Sequence, residues 1–270
     1  MKEPSLGFIV GGQAVIEGVM MRTPASFCVA VRKKEGDIVE HTEKIKVPQI
    51  KIPLIRGVYV LFHALSLGIK SLNISANLFE EEKPLSTFSM IMSIFFALFF
   101  TEILRIKNNF YFNLIDGLFR LIIFLIYILI LNLFKDFKRF FAYHGAEHKV
   151  VHTYEAGEEL TIENARGKSP LHPRCGTSFL LFVVVLSIFV FSLIPNDLNF
   201  VSKFSFRLLL LPFIAGISYE AIRLSYYLRN NIIGKALSLP GLMLQKLTTR
   251  EPDDSMLEVA IFSLKKALNS

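Results

Sequence analysis

Four stretches of this chain, 85–104, 114–134, 178–194 and 206–222, are apolar over nearly the length a helix needs to cross a bilayer, about 17 to 25 residues. No other feature restricts the fold as strongly, because a backbone in lipid must satisfy its own hydrogen bonds and so becomes helix or closed barrel. Composition points the same way: 52% hydrophobic residues, 26 phenylalanines and a mean hydropathy of +0.47 are too apolar for an ordinary soluble domain. The chain reads as an α-helical polytopic membrane protein with about four transmembrane helices and a small N-terminal cytoplasmic β module.

The net charge of +7 does not signal nucleic acid, since the basic residues flank apolar stretches and accompany no nucleic-acid motif. Segments 1–84, 135–177 and 223–270 carry 11, 7 and 7 lysines and arginines, whereas 105–113 and 195–207 carry 2 each. The positive-inside rule then places both termini and the 135–177 segment in the cytoplasm of a cell whose inner (plasma) membrane holds the chain as a multi-pass protein. The lipid bilayer is the expected partner. Cys28 and Cys175 form no disulfide framework and suit a reducing compartment, and residues 1–9 lack the pattern of a cleaved signal peptide.

Within that frame the chain divides into four parts. Residues 1–50 are moderately polar and rich in glycine and β-branched residues. Segments 27–32 and 38–45 flank Lys33-Lys34-Glu35-Gly36-Asp37, which predicts a hairpin, and Gly11, Gly12 and Gly18 are suited to positive φ or close backbone approach. The order of those glycines is not that of a dinucleotide fingerprint, so no nucleotide-type cofactor is expected there. Residues 51–84 predict an interfacial or protein-packed amphipathic helix, because His63, Lys70, Asn73 and Asn77 interrupt its apolar residues. The membrane domain covers 85–222 and holds the polar segment 135–177. The tail, 223–270, ends in an amphipathic helix whose apolar side includes Met256, Leu257, Val259, Ala260, Ile261 and Leu264.

Four of the six histidines fall between 143 and 179. In a helix His144, His148 and His152 lie within an arc of about 80°, and Glu147 completes an H-x-x-E-H string, the inverted form of a zinc-protease helix motif. His172 and Cys175, spaced H-x-x-C, can add nitrogen and sulfur from a second segment. His152 is the expected bystander.

Further strings, GGQAVIEGVMMR at 11–22, YHGAEHK at 143–149, HPRCGTSF at 172–179, AGISYE at 215–220 and PGLMLQKLTTREPDD at 240–254, cover nearly the whole chain. Together they resemble the YqhQ-like family of uncharacterised bacterial membrane proteins. The resemblance implies a metal-dependent membrane enzyme but brings no substrate. Chemistry supplies the remaining expectations: His144, His148, His172 and Cys175 as ligands of a divalent transition metal, zinc for choice, and Glu147 as general base. Glu220 is an alternative ligand or a partner to one. Four protein ligands would close a tetrahedral zinc site, so a catalytic centre must omit one, and Cys175 has the second option of acting as a thiol nucleophile. The function expected is a hydrolase at the cytoplasmic membrane face, with a lipid-linked or membrane-peptide substrate; the alternative is a non-enzymatic membrane scaffold or regulator built on a structural metal site.

Overall fold

A computed structural model describes residues 10–46, 48, 50–79, 109–195 and 197–270. Its N-terminal part is an antiparallel sheet of β1 (Gly11–Val15), β2 (Gly18–Arg22), β3 (Ser26–Arg32) and β4 (Ile38–Lys44), in that spatial order. The β3–β4 hairpin forms where expected, closed by Lys33 N–H to the Asp37 carbonyl at 2.9 Å, with Gly36 at φ 103°. Gly18 lets β2 lie close on β3, since a Cβ there would lie 2.0 Å from the Ala30 carbonyl oxygen.

Eight helices are described: α1 (Ile55–Leu78), α2 (Asn109–Leu131), α3 (Lys135–Glu155), α4 (Ile162–Arg166), α5 (Gly176–Ser192), α6 (Phe200–Tyr227), α7 (Ile232–Thr248) and α8 (Asp254–Leu268). Both faces of the sheet are covered. On one, Val19, Met21 and Ala30 pack with Tyr143, Ala146 and Val150 of α3 and with Leu257, Ala260 and Leu264 of α8. On the other, Val15, Met20, Phe27, Val29 and Val31 pack on Leu67, Leu72, Ile74 and Leu78 of α1. Two-sided burial is why β3 reads as an unbroken apolar run rather than an alternating one. Each of its fully buried large side chains contributes about 1.5 to 3 kcal/mol of burial free energy. Ser263 of α8 ties the layers together, accepting from Met21 N–H at 3.2 Å and donating to the Cys28 carbonyl at 2.7 Å.

The apolar helices meet at glycines, as close-packed helices in lipid do. A Cβ on Gly57 of α1 would come within 2.8 Å of Gly216 of α6, one on Gly117 of α2 would strike Ile188 of α5, and one on Gly241 of α7 would strike Ser178 at the start of α5. Gly216 thus serves close approach. Ile122, Ile126 and Ile130 on α2, Phe189 on α5 and Leu208, Leu209 and Phe213 on α6 are exposed, a surface matched to lipid.

By length and composition two described helices can cross a membrane, Ile55–Leu78 and the Val201–Tyr227 part of α6. They become three if Gly117–Leu131 and α3, which meet at a bend of 101°, are counted as one broken span. The expected count of four therefore reduces to two or three candidates among the described residues. Stretch 85–104 lies outside those residues, and 178–194 yields the 17-residue α5, about 25 Å long against the roughly 30 Å of a hydrocarbon core. The helix in 51–84, expected to be interfacial or protein-packed, is one of these candidates and is also protein-packed. Its second half is taken up by the sheet, with Lys70 bonded to Glu43 of β4 at 2.6 Å, which leaves the exposed Ile55, Phe62 and Leu65 of the first half for lipid.

Candidate metal centre

Helix α3 carries the H-x-x-E-H string as predicted, and Cys175 caps the N-terminus of α5, its sulfur accepting from Thr177 N–H at 3.4 Å. The two elements bring His144, His148 and Cys175 together, with one ligand atom from each lying within 4.8 Å of the others. His144 Nε2 is 3.2 Å from Cys175 Sγ. Bonds of about 2.0 to 2.3 Å to a tetrahedral ion put ligand atoms about 3.5 Å apart, so modest tightening would close the set on a metal.

Hydrogen-bond accounting fixes which ring nitrogens are available. A carbonyl oxygen only accepts, so His144 Nδ1, 2.8 Å from the Thr248 carbonyl, and His148 Nδ1, 2.6 Å from the Pro170 carbonyl, both carry protons. Nε2 of each ring is then the nitrogen turned toward the sulfur, the arrangement of a metal-binding histidine oriented by its outer hydrogen bond. His148 Nε2 is buried and makes no well-aligned hydrogen bond, its neighbours being the Cys175 sulfur and Glu147 Oε2 at 3.4 Å, so a proton or a metal cation there meets two negative groups.

His172, the fourth expected ligand, goes elsewhere. Its Nδ1 accepts the Arg174 backbone N–H at 3.2 Å, which leaves the proton on Nε2, directed at Glu155 Oε2 3.4 Å away. Its ring lies 4.5 Å from that of His152, between centroids, and these two residues with Glu155 form a second grouping. His152, expected to stand apart, is thus packed in; its Nε2 donates to the Leu171 carbonyl at 2.9 Å. The Glu155 carboxylate is already engaged by an ion pair with Arg174, whose guanidinium stacks on Tyr226 at 4.3 Å. Glu220, the other expected candidate, forks onto Arg56 of α1, with Oε1 2.6 Å from Arg56 Nε, while its neighbour Tyr219 faces the site.

The charges follow from this geometry. Burial pushes the Cys175 thiol up, but the His144 and His148 rings beside it outweigh burial and hold it well below its usual range. Burial lowers His148, yet the negative charges of Cys175 and Glu147 carry it up to about 9. Burial and then the neighbouring His148 push His172 down to about 4, and burial and then His172 bring His152 to about 4. The first cluster is therefore a thiolate and imidazolium pair, in which a proton holds the place that a metal cation can take, and the second is neutral at its histidines.

Glu147 is buried, with Oε2 3.4 Å from His148 Nε2. Together with His144, His148, Cys175, Arg22 and Tyr219 it lines a cavity of about 480 Å³ whose other walls are mostly apolar, among them Leu61 and Leu65 of α1 and Phe179 and Leu180 of α5. Gly12 of β1 lets the sheet approach this carboxylate, since a Cβ there would lie 2.9 Å from Glu147 Cγ.

The 240–254 run positions both histidine elements, a role its residue pattern does not announce. Gln245 is fully buried; its Oε1 accepts His172 N–H and its Nε2 donates to the His172 carbonyl and to Ser178 Oγ, each at 2.8 Å. Past Thr248 the chain crosses α3 at Gly145, where a Cβ would be 2.0 Å from the Arg250 carbonyl oxygen, and Arg250 N–H bonds the Phe141 carbonyl at 2.9 Å. That crossing delivers the Thr248 carbonyl to His144. The signal was available in Gly145, a glycine inside a helix one residue after a histidine.

Residues 52–270 match the family described as "Protein of unknown function (DUF1385)". The chain belongs to this family. It is also 36% identical, over 96% of its length and 92% of the relative's, to the "Uncharacterized protein YqhQ" of Bacillus subtilis (strain 168). No solved structure matches. The DUF1385 description names no activity, so the metal dependence implied by the resemblance rests on the chemistry of the residues alone.

Proposed function

We propose that this protein is a metal-dependent hydrolase working at the cytoplasmic face of the inner membrane, with zinc held by His144, His148 and Cys175. The observation that supports this most is the pair of Nδ1–H to carbonyl bonds, which turns both Nε2 atoms toward one sulfur inside a cavity. Nitrogen and sulfur donors suit zinc better than magnesium or calcium, and three protein donors leave a tetrahedral position open. A divalent ion bound there supplies Lewis acidity at the cavity wall. Glu147 takes a proton from the attacking water and returns it to the leaving group, a role that needs the carboxylate beside the ligands rather than on the metal. His172 holds the Cys175 turn in place instead of ligating, and both termini and the cluster lie on the cytoplasmic side of the spans.

A scaffold with a structural metal is the second reading, favoured by the depth of burial of His148 and Cys175. Chelation separates the two: lower thermal stability with turnover intact speaks for the scaffold. The direct test is Glu147→Gln, assayed for bound metal and for hydrolysis of a panel of lipid phosphoesters and apolar peptides. Metal content should match wild type while turnover falls by about a hundredfold or more. Loss of the metal itself would move Glu147 into the ligand set, and undiminished turnover would remove it as the base.

A further inference from the structure

Side chains alternate across a strand, so a strand that shows only a face to a cavity lines it with every second residue. Five consecutive residues, Val10, Gly11, Gly12, Gln13 and Ala14, line this one. The strand must therefore present its edge. Among the described residues β1 is the outer strand of the sheet, next to β2 alone. Among the described residues the main chain of 10–14 makes no hydrogen bond besides its ladder with β2. Helix α3 lies over one face of β1 and α1 reaches the other, where Gln13 Nε2 donates to the Gly68 carbonyl at 3.1 Å, so the edge forms the floor of a slot between two helices. Two glycines open that floor: a Cβ on Gly11 would meet nothing within 4 Å, and Gly12 abuts the Glu147 side chain.

We infer that the site takes an extended apolar segment of polypeptide, which adds to the free edge of β1 as a further strand and lays a main-chain amide beside Glu147, His144, His148 and Cys175. Unpaired main-chain donors and acceptors in a slot are matched by another main chain, and strand addition is a recurring way to bind a peptide. A lipid tail would leave them unsatisfied. The apolar walls at Leu61, Leu65 and Leu180 select apolar side chains, and the exposure of Leu65 and Leu180 leaves the slot open on the side where the helices face lipid. The substrate class is thus a membrane-derived peptide. The bond broken is its amide C–N bond: water adds to the carbonyl carbon, and the proton Glu147 takes from that water goes to the departing amine nitrogen.

This inference rests on the hydrolase reading for its chemistry but not for its binding, and the experiment keeps the two apart. Full-length Glu147→Gln protein in nanodiscs is titrated with fluorescent eight-residue peptides of valine and leucine, N-methylated at one amide at a time, and with a fluorescent decanoyl phosphate. Methyl groups at alternate amides should weaken binding by about tenfold, and those between by less than about threefold, since only every second N–H of an added strand faces β1. Gly11→Val should weaken the unmethylated peptide by about tenfold while leaving metal content and melting temperature unchanged. Loss that is equal at every amide, or binding of the decanoyl phosphate and of no peptide, overturns strand addition. If the alternation appears while wild-type protein holds no metal and hydrolyses none of these peptides, strand addition stands and the hydrolase reading falls.

Discussion

Two clusters of metal-type ligands sit side by side, their nearest rings, His148 and His172, 5.8 Å apart, and they differ in what their hydrogen bonds leave over. In the first, two backbone carbonyls accept the Nδ1–H bonds and turn both Nε2 atoms toward one thiolate, where a proton can give way to a metal. In the second, a backbone N–H uses the His172 lone pair and Arg174 neutralises Glu155. Residue types alone would rank the clusters as equals. The backbone groups around them separate a site prepared for a cation from one already satisfied.

Substitution of the rings puts that difference to its hardest test. His144→Ala and His148→Ala should each lower bound metal by more than about tenfold in folded protein, measured by elemental analysis, whereas His172→Asn and His152→Asn should keep it. Metal lost with His172 and retained without His144 would transfer the centre to the second cluster. The next effect concerns stability. Gln245→Leu strips the buried His172 N–H of its partner and leaves its carbonyl only the Cys175 N–H, at a cost of about 1 to 3 kcal/mol, readable as a lower melting temperature even in metal-free protein. No change would show that the His172 turn supports itself.

The cysteines sharpen the contrast in another way. Cys28 is buried in the sheet, where burial pushes its thiol up, while Cys175 is held as a thiolate on the cavity wall. With metal removed, iodoacetamide should alkylate Cys175 about tenfold faster than Cys28, and added zinc should abolish the difference; peptide mass mapping reads both. The smallest effect belongs to His152→Asn. Loss of its bond to the Leu171 carbonyl should cost about 1 kcal/mol in denaturant unfolding and leave metal content untouched. A larger loss would make His152 a structural support of the second cluster.

Much of this was legible in the residues. The β3–β4 hairpin announced itself through its turn, the last helix through its apolar stripe, and the H-x-x-E-H face through the helical period. His144, His148 and Cys175 were in the expected set because soft and borderline ligands so close in sequence are scarce in an apolar chain. The assignment of His172 was not legible, because it depends on the Arg174 backbone N–H and on Gln245, 73 residues away. Spacing carries no information about either. Glu220 is the reverse case: its place near the end of an apolar helix suggested a site, but Arg56 from another helix claimed it. The helix at 51–84 blurred for a third reason, since its polar residues serve a sheet that periodicity within the helix does not reveal.

The crossing of the 248–254 strap over Gly145 also sets an order of events in biosynthesis. A ribosome emits the sheet, the α3 histidines and Cys175 long before the strap and α8, so one apolar face of the sheet and one orienting carbonyl of the cluster must wait for residues beyond 247. Until then a nascent chain carries reactive thiol and imidazole groups in no fixed relation to one another. A protein damaged or truncated before this segment would be inserted in the membrane yet unarmed, which ties the emergence of the site to completion of synthesis.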